Sequence, residues 1–150
     1  MEYKKYFIDS WKELCEKAKN GTFTPCQEQD LVCMMYYLCL KKMGNATLIH
    51  SSSTWGRDLR LGKLEGEKEK ELIFSNCLLA EFKFITRHRK NRRLEGAKKD
   101  ILKMSQIAKE DPTVIRIFAI FDKKGNVTIS EIEELQNLTD NVTVLFGNLK

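Results

Sequence analysis

The residues of this chain best placed to do chemistry lie in the run Leu78-Leu79-Ala80-Glu81-Phe82-Lys83-Phe84-Ile85, where an acid and an amine stand two apart inside an apolar stretch. Side chains alternate along a strand, so Glu81 and Lys83 share one face with Leu79 and Ile85, while Ala80, Phe82 and Phe84 take the other. Both faces are partly apolar, which is the pattern of an internal strand. Burying a carboxylate and an ammonium there costs on the order of several kcal/mol per ion unless they pair, bind metal or do chemistry. Two readings follow. One is a structural Glu/Lys pair where the strand leaves the sheet. The other is a divalent-metal site, with Glu81 as an oxygen ligand and Lys83 as the positive group beside a reacting phosphate.

Apolar residues at helical spacing from Tyr3 to Lys19 predict a packing helix stopped by Asn20-Gly21. Thr24-Pro25-Cys26-Gln27 predicts the start of a second helix, with Thr24 as cap and Gln27 closing a capping box, running to Met43 before Gly44. That helix is apolar almost all round from Leu31 to Leu40, which predicts burial on more than one side. Its first turns carry Glu28 and Asp30, and Glu28 shares a stripe with Val32 and Met35. Acids at a helix start also favour the macrodipole, which is a sufficient structural reason for them.

Thr47–Ser51 predicts a short strand, and Arg57-Asp58-Leu59-Arg60-Leu61 a second, with Arg57, Leu59 and Leu61 on one face and Asp58 and Arg60 on the other. The alternating charges from Lys63 to Glu71 suit an exposed hairpin loop. The long strand Leu72–Ile85, with a break or bulge near Ser75-Asn76, leads into the basic run Arg87–Arg93. A third helix from Arg92 to Lys109 buries Leu94, Ala97, Ile101, Met104 and Ala108. A strand from Val114 to Asp122, a helix capped by Ser130 with Glu133, and a last strand from Val142 to Phe146 complete the chain. The order predicts an α/β fold, a mixed central sheet flanked by helices, in a single domain spanning residues 1–150.

Composition excludes several classes. The chain has 150 residues, 42% of them hydrophobic, and only two prolines, as a globular domain requires. A net charge of +5 is compatible with a polyanionic partner without demanding one. Cys15, Cys26, Cys33, Cys39 and Cys77 are odd in number, lie in apolar stretches and form no C-x-x-C pair, so they read as reduced core thiols in a cytoplasmic protein rather than a zinc or disulfide framework. No apolar run suggests a signal peptide or a membrane span, so the Asn-x-Thr triplets carry no glycosylation meaning. His50 reads as a packed or surface strand residue rather than a catalytic base.

With the second helix, three strands, a helix and a strand in this order, and Glu81-x-Lys83 ending the third strand, the region from about residue 27 to 122 resembles the PD-(D/E)XK nuclease superfamily. Glu28 matches that family's helix acid, Asp58 its second-strand acid, and Glu81 and Lys83 its E-x-K pair, although Arg57 stands where the motif's proline would precede the acid. The resemblance implies an αβββαβ restriction-endonuclease-like core, here with an extra N-terminal helix and a C-terminal helix and strand. It implies Mg²⁺ or Mn²⁺ held by Asp58, Glu81 and the backbone carbonyl of Phe82, with Lys83 and Glu28 as further catalytic groups.

Phosphodiester hydrolysis needs an activated water, a neutralised phosphate and a stabilised leaving group, and a divalent ion supplies these. Lys83 would contact the attacking water or the phosphate oxygens, and Glu28 would orient a water from the helix above. Arg87, Arg89, Lys90, Arg92, Arg93, Lys98 and Lys99 could track a nucleic-acid backbone, or simply be a solvated loop and helix face. The leading expectation is a metal-dependent nuclease, on DNA ahead of RNA. One site cuts one strand, so duplex cleavage calls for a homodimer or a partner protein. The alternatives are a catalytically silent nucleic-acid-binding or assembly module of the same fold, and an unrelated α/β protein with a structural Glu81/Lys83 pair.

Overall fold

A computed structural model describes residues 2–51, 58–68 and 71–149. Among these residues the architecture is α/β: a five-stranded mixed sheet with four α-helices. Helix α1 (Glu2–Lys19) and helix α2 (Glu28–Met43) come first, followed by β1 (Ile49–Ser51), β2 (Leu59–Lys68) and β3 (Glu71–Ile85). Helix α3 (Lys90–Glu110) leads to β4 (Ile115–Asp122), and α4 (Ile129–Gln136) to β5 (Thr143–Asn148). The strands lie in chain order, β1-β2-β3-β4-β5, with β1, β2 and β3 antiparallel and β3, β4 and β5 parallel.

Alternation along β3 divides the core into two layers. Ala80, Phe82 and Phe84 face α1 and α2, packed with Phe7, Trp11, Leu14, Leu31, Met35 and Leu38. Ile85 faces the other way, with Leu94, Ala97, Ile101 and Met104 of α3 and Leu135 of α4. Phe82 centres the first layer, its ring 5.9 Å from Phe7 and 6.2 Å from Trp11 between centroids. Gly147 on β5 has no room for a side chain, because a Cβ there would run into Cys15 Sγ and come within 3.2 Å of Trp11 Cζ2. This close approach lets α1 sit directly over the edge strand.

Several local expectations are corrected. The cap of α2 is Gln27, not Thr24, because the Asp30 carboxylate accepts from Cys26 N (2.7 Å) and Gln27 N (3.1 Å) and so sets the helix start. The cap of α4 is Thr128 with Glu131, not Ser130 with Glu133. Asp122, fully buried at the end of β4, accepts from Val127 N at 2.8 Å and fixes the chain just ahead of that helix. The residues before β1 form a 3-10 turn, Ala46–Leu48, capped by the Asn45 side chain. The charged stretch expected as a loop is instead largely paired, since β2 reaches Lys68 and β3 begins at Glu71. Lys63, Leu64, Glu65 and Glu67 are exposed, and alternating charges suit a solvated strand as well as they suit a loop. The register slips where a bulge was expected: β3 gains a residue between Ser75 and Leu78, and β2 gains a compensating one between Leu64 and Gly66.

Helix α2 is buried on more than one side, against α1, β1 and β3, as expected, but it is not covered all round: Cys33 and Tyr37 are exposed. The cysteines are not uniformly core residues either: Cys39 and Cys77 are buried, Cys15 is half-buried, and Cys26 and Cys33 are exposed. Burial pushes the Cys15 and Cys39 thiols up to about 11, which keeps them protonated at neutral pH and unsuited to nucleophilic work. Arg57 lies outside the described residues. Among the described residues no helix is long and apolar enough to cross a membrane.

Candidate active site

The pairing of β2 with β3 ends at Leu59 and Ala80, whereas β3 continues to Ile85 along β4. Successive strand amides point to opposite edges, so the N–H groups of Phe82 and Phe84 look toward an edge that β2 no longer covers. Carboxylates fill both places. Asp58, immediately before β2, accepts from Phe82 N at 2.9 Å. Glu28, in the first turn of α2, accepts from Phe84 N at 3.2 Å. Two acids far apart in sequence therefore meet at the overhanging end of β3.

Their charges act on each other there. The Asp58 carboxyl is raised above its ordinary value, first by burial and then by the neighbouring Glu28 charge, while the Phe82 amide and the Lys83 ammonium pull it back. Glu28 is balanced by Arg93, whose Nη1 lies 3.1 Å from Glu28 Oε2. The Lys83 Nζ lies 3.4 Å from Asp100 Oδ2 on α3, with both side chains about a fifth to a quarter exposed. Glu81 leaves the strand on the Lys83 face and is 8% exposed. Asp58, Glu28, Lys83 and the backbone of Phe82 thus gather at one end of β3, and Glu81 sits two residues along on the Lys83 side. Among the described residues no three His, Cys, Asp or Glu side chains stand close enough to form a ready-made metal cage.

The raised Asp58 fixes the sign of a pH effect. A carboxyl that holds its proton more tightly when folded contributes stability that is complete below the ordinary value of 3.8 and is lost as pH rises through the raised one. Asn at this position keeps an acceptor for Phe82 N and removes the charge. The stability of Asp58→Asn relative to the parent, measured by urea unfolding from about pH 3 to about pH 7, is therefore expected to improve steadily with pH. A relative stability that falls as pH rises would show that the carboxylate is favourably paired.

The basic residues divide into two groups. Arg87, Arg89, Arg92 and Lys99 are exposed and form no ion pair among the described residues. Lys90, Arg93 and Lys98 are engaged: Lys90 with Glu131 at 3.0 Å, Arg93 with Glu28, and Lys98 with Glu134 at 2.8 Å and Glu95 at 3.1 Å. The Glu131 carboxyl is held below its usual range by the Thr128 amide and Lys90. Sequence reasoning missed Asp100. Its signal was spacing: Arg93, Ala97, Asp100 and Met104 recur at helical intervals along the inner side of α3, so a charge at 100 faces the sheet.

No protein-family model, curated protein or solved structure matches this chain.

Proposed function

We propose that this chain is a metal-dependent nuclease of the PD-(D/E)XK type, hydrolysing phosphodiester bonds in nucleic acid, DNA ahead of RNA. The observation that carries the reading is the meeting of Asp58, Glu28 and Lys83 at the overhanging end of β3, two acids whose charges oppose each other beside an amine. The order α2-β1-β2-β3-α3-β4, an antiparallel meander followed by a parallel return, supports the αβββαβ restriction-endonuclease-like topology.

The donors fit a hydrated divalent ion better than a closed cage. Mg²⁺ is held by one or two carboxylates with water and substrate oxygens completing its shell. Asp58 and Glu28 each commit one oxygen to a backbone amide, and the Phe82 carbonyl leaves β3 on the same edge as its N–H. Asp58, Glu81 and the Phe82 carbonyl would hold Mg²⁺ or Mn²⁺, which when bound would supply Lewis acidity toward the phosphate. The amides of Phe82 and Phe84 fix the orientation of the two acids. Lys83 directs its ammonium to the anionic phosphate oxygens, and Asp100 limits where that ammonium can swing. The exposed Arg87, Arg89, Arg92 and Lys99 would follow the phosphate backbone without reading sequence.

A second reading has its own support, because Asp58 and Glu28 already cap backbone amides and Lys83 is already paired. On that reading the chain is a binding or assembly module that retains the architecture without cutting. Metal titration separates the two. Millimolar-range Mg²⁺ or Mn²⁺ is expected to raise the melting temperature by several degrees, about what a ligand at many times its dissociation constant gives, and Asp58→Ala to abolish the shift. A melting curve indifferent to both ions would remove the metal site and leave the second reading.

A further inference from the structure

We propose that the outer stripe of α2 is a two-fold interface with a second copy of this chain. Asp30, Cys33, Met34, Tyr37 and Lys41 recur at helical spacing on the side of α2 opposite its buried residues Leu31, Val32, Met35, Leu38 and Cys39. Cys33, Tyr37 and Lys41 are exposed, Tyr37 to 56% of its surface. Met34 is half-buried with its inner part against the core, so Cys33 and Tyr37 form the exposed apolar centre of the stripe, with a charge at either end.

The order of residues along the stripe identifies the partner. A two-fold interface must be self-complementary, so whatever stands at one end must fit what stands at the other. Two copies of α2 crossing antiparallel about a point between Met35 and Tyr36 set Asp30 against Lys41 of the second copy, and Met34 against its Tyr37. The acid lies at one end, the base at the other, and the apolar residues between them. Lys41 is exposed and acts on Glu13 of α1 only at a distance, with no close ion pair among the described residues, so it can still reach a partner's acid.

Shape agrees with charge. A groove of about 250 Å³ lined by Phe23, Asp30, Cys33, Met34 and Tyr37 runs beside the helix, next to the position that the partner's Tyr37 reaches in this pairing. The same pairing buries Cys33. The stripe shares α2 with Glu28 but contains none of the candidate site residues, so the interface does not depend on the nuclease reading.

Sedimentation equilibrium of the full chain from about 1 µM to about 1 mM tests it. The expected result is a monomer–dimer equilibrium. Lys41→Glu, which sets like charges together at both ends, is expected to weaken it at least about tenfold, and Tyr37→Ala about thirtyfold. Both positions are exposed, so circular dichroism of the two variants should match the parent. Alkylation of Cys33, read by mass spectrometry, is expected to slow as the parent concentration rises and to stay fast in Lys41→Glu. A parent that stays monomeric throughout would overturn the proposal and leave the stripe to a different protein. A dimer untouched by both substitutions would overturn it too, by placing the contact elsewhere.

Discussion

Lys83→Ala is expected to slow metal-dependent cleavage of nucleic acid by about a hundredfold or more, the usual cost of removing one donor aimed at developing transition-state charge. The substitution is structurally mild. Lys83 lies at the rim of the sheet, its side chain is only partly buried, and its described partner Asp100 is exposed enough to be solvated when left alone. An ion pair of this exposure contributes about 1 kcal/mol or less to stability. A large loss of rate with an unchanged unfolding curve would therefore report chemistry. Initial nicking of plasmid and single-stranded substrates with Mg²⁺, Mn²⁺ or chelator supplies the measurement, and Lys83→Arg, which keeps the charge but not its position, should recover only part of the rate. Parent protein that shifts DNA on a gel without nicking it in either metal would sink the enzymatic reading and leave the binding module.

The second large effect is on folding. Phe82→Ala is expected to lower stability by about 3–5 kcal/mol, because the ring is fully buried and its removal leaves a cavity that two helices and a sheet cannot collapse to fill. It also forfeits contacts with Phe7 and Trp11, each aromatic pair contributing about 0.5–1.5 kcal/mol beyond its buried area. A domain of this size holds only about 5–15 kcal/mol in all, so the variant should unfold at a much lower urea concentration with a similar slope. A loss below about 1 kcal/mol would mean that α1 and α2 settle onto the sheet without that ring.

The two effects fall on neighbouring residues of one strand, and this division of labour was legible from the sequence. Strict alternation from Leu78 to Ile85 assigned Phe82 to a core and Lys83 to the opposite face, and the period of Leu94, Ala97, Ile101 and Met104 assigned α3 its inner side. The helix starts were less legible. Thr128 with Glu131 and Ser130 with Glu133 are equally good capping boxes by local pattern, and the tertiary bond from Val127 N to Asp122 favours the first. Gln27 is a poorer cap than Thr24 by type, but Asp30 holds the two amides that decide the matter. At the candidate site, the sequence pointed to Glu28 and Asp58 as acids. It could not show that both would be tied to amides of β3, because that depends on how far β2 extends. Asp100 went unnoticed because a lone acid in a Lys-rich helix resembles ordinary surface patterning.

The bonds from Asp58 and Glu28 to the overhanging amides of β3 have an evolutionary corollary. Asparagine or glutamine in either place still offers an oxygen to the same N–H, and each is one nucleotide change away from the acid it replaces. If the chain is the nuclease proposed above, its descendants would lose hydrolytic power without losing their shape. Active and silent siblings on this scaffold would then look alike in outline and differ by an amide where a carboxylate had been.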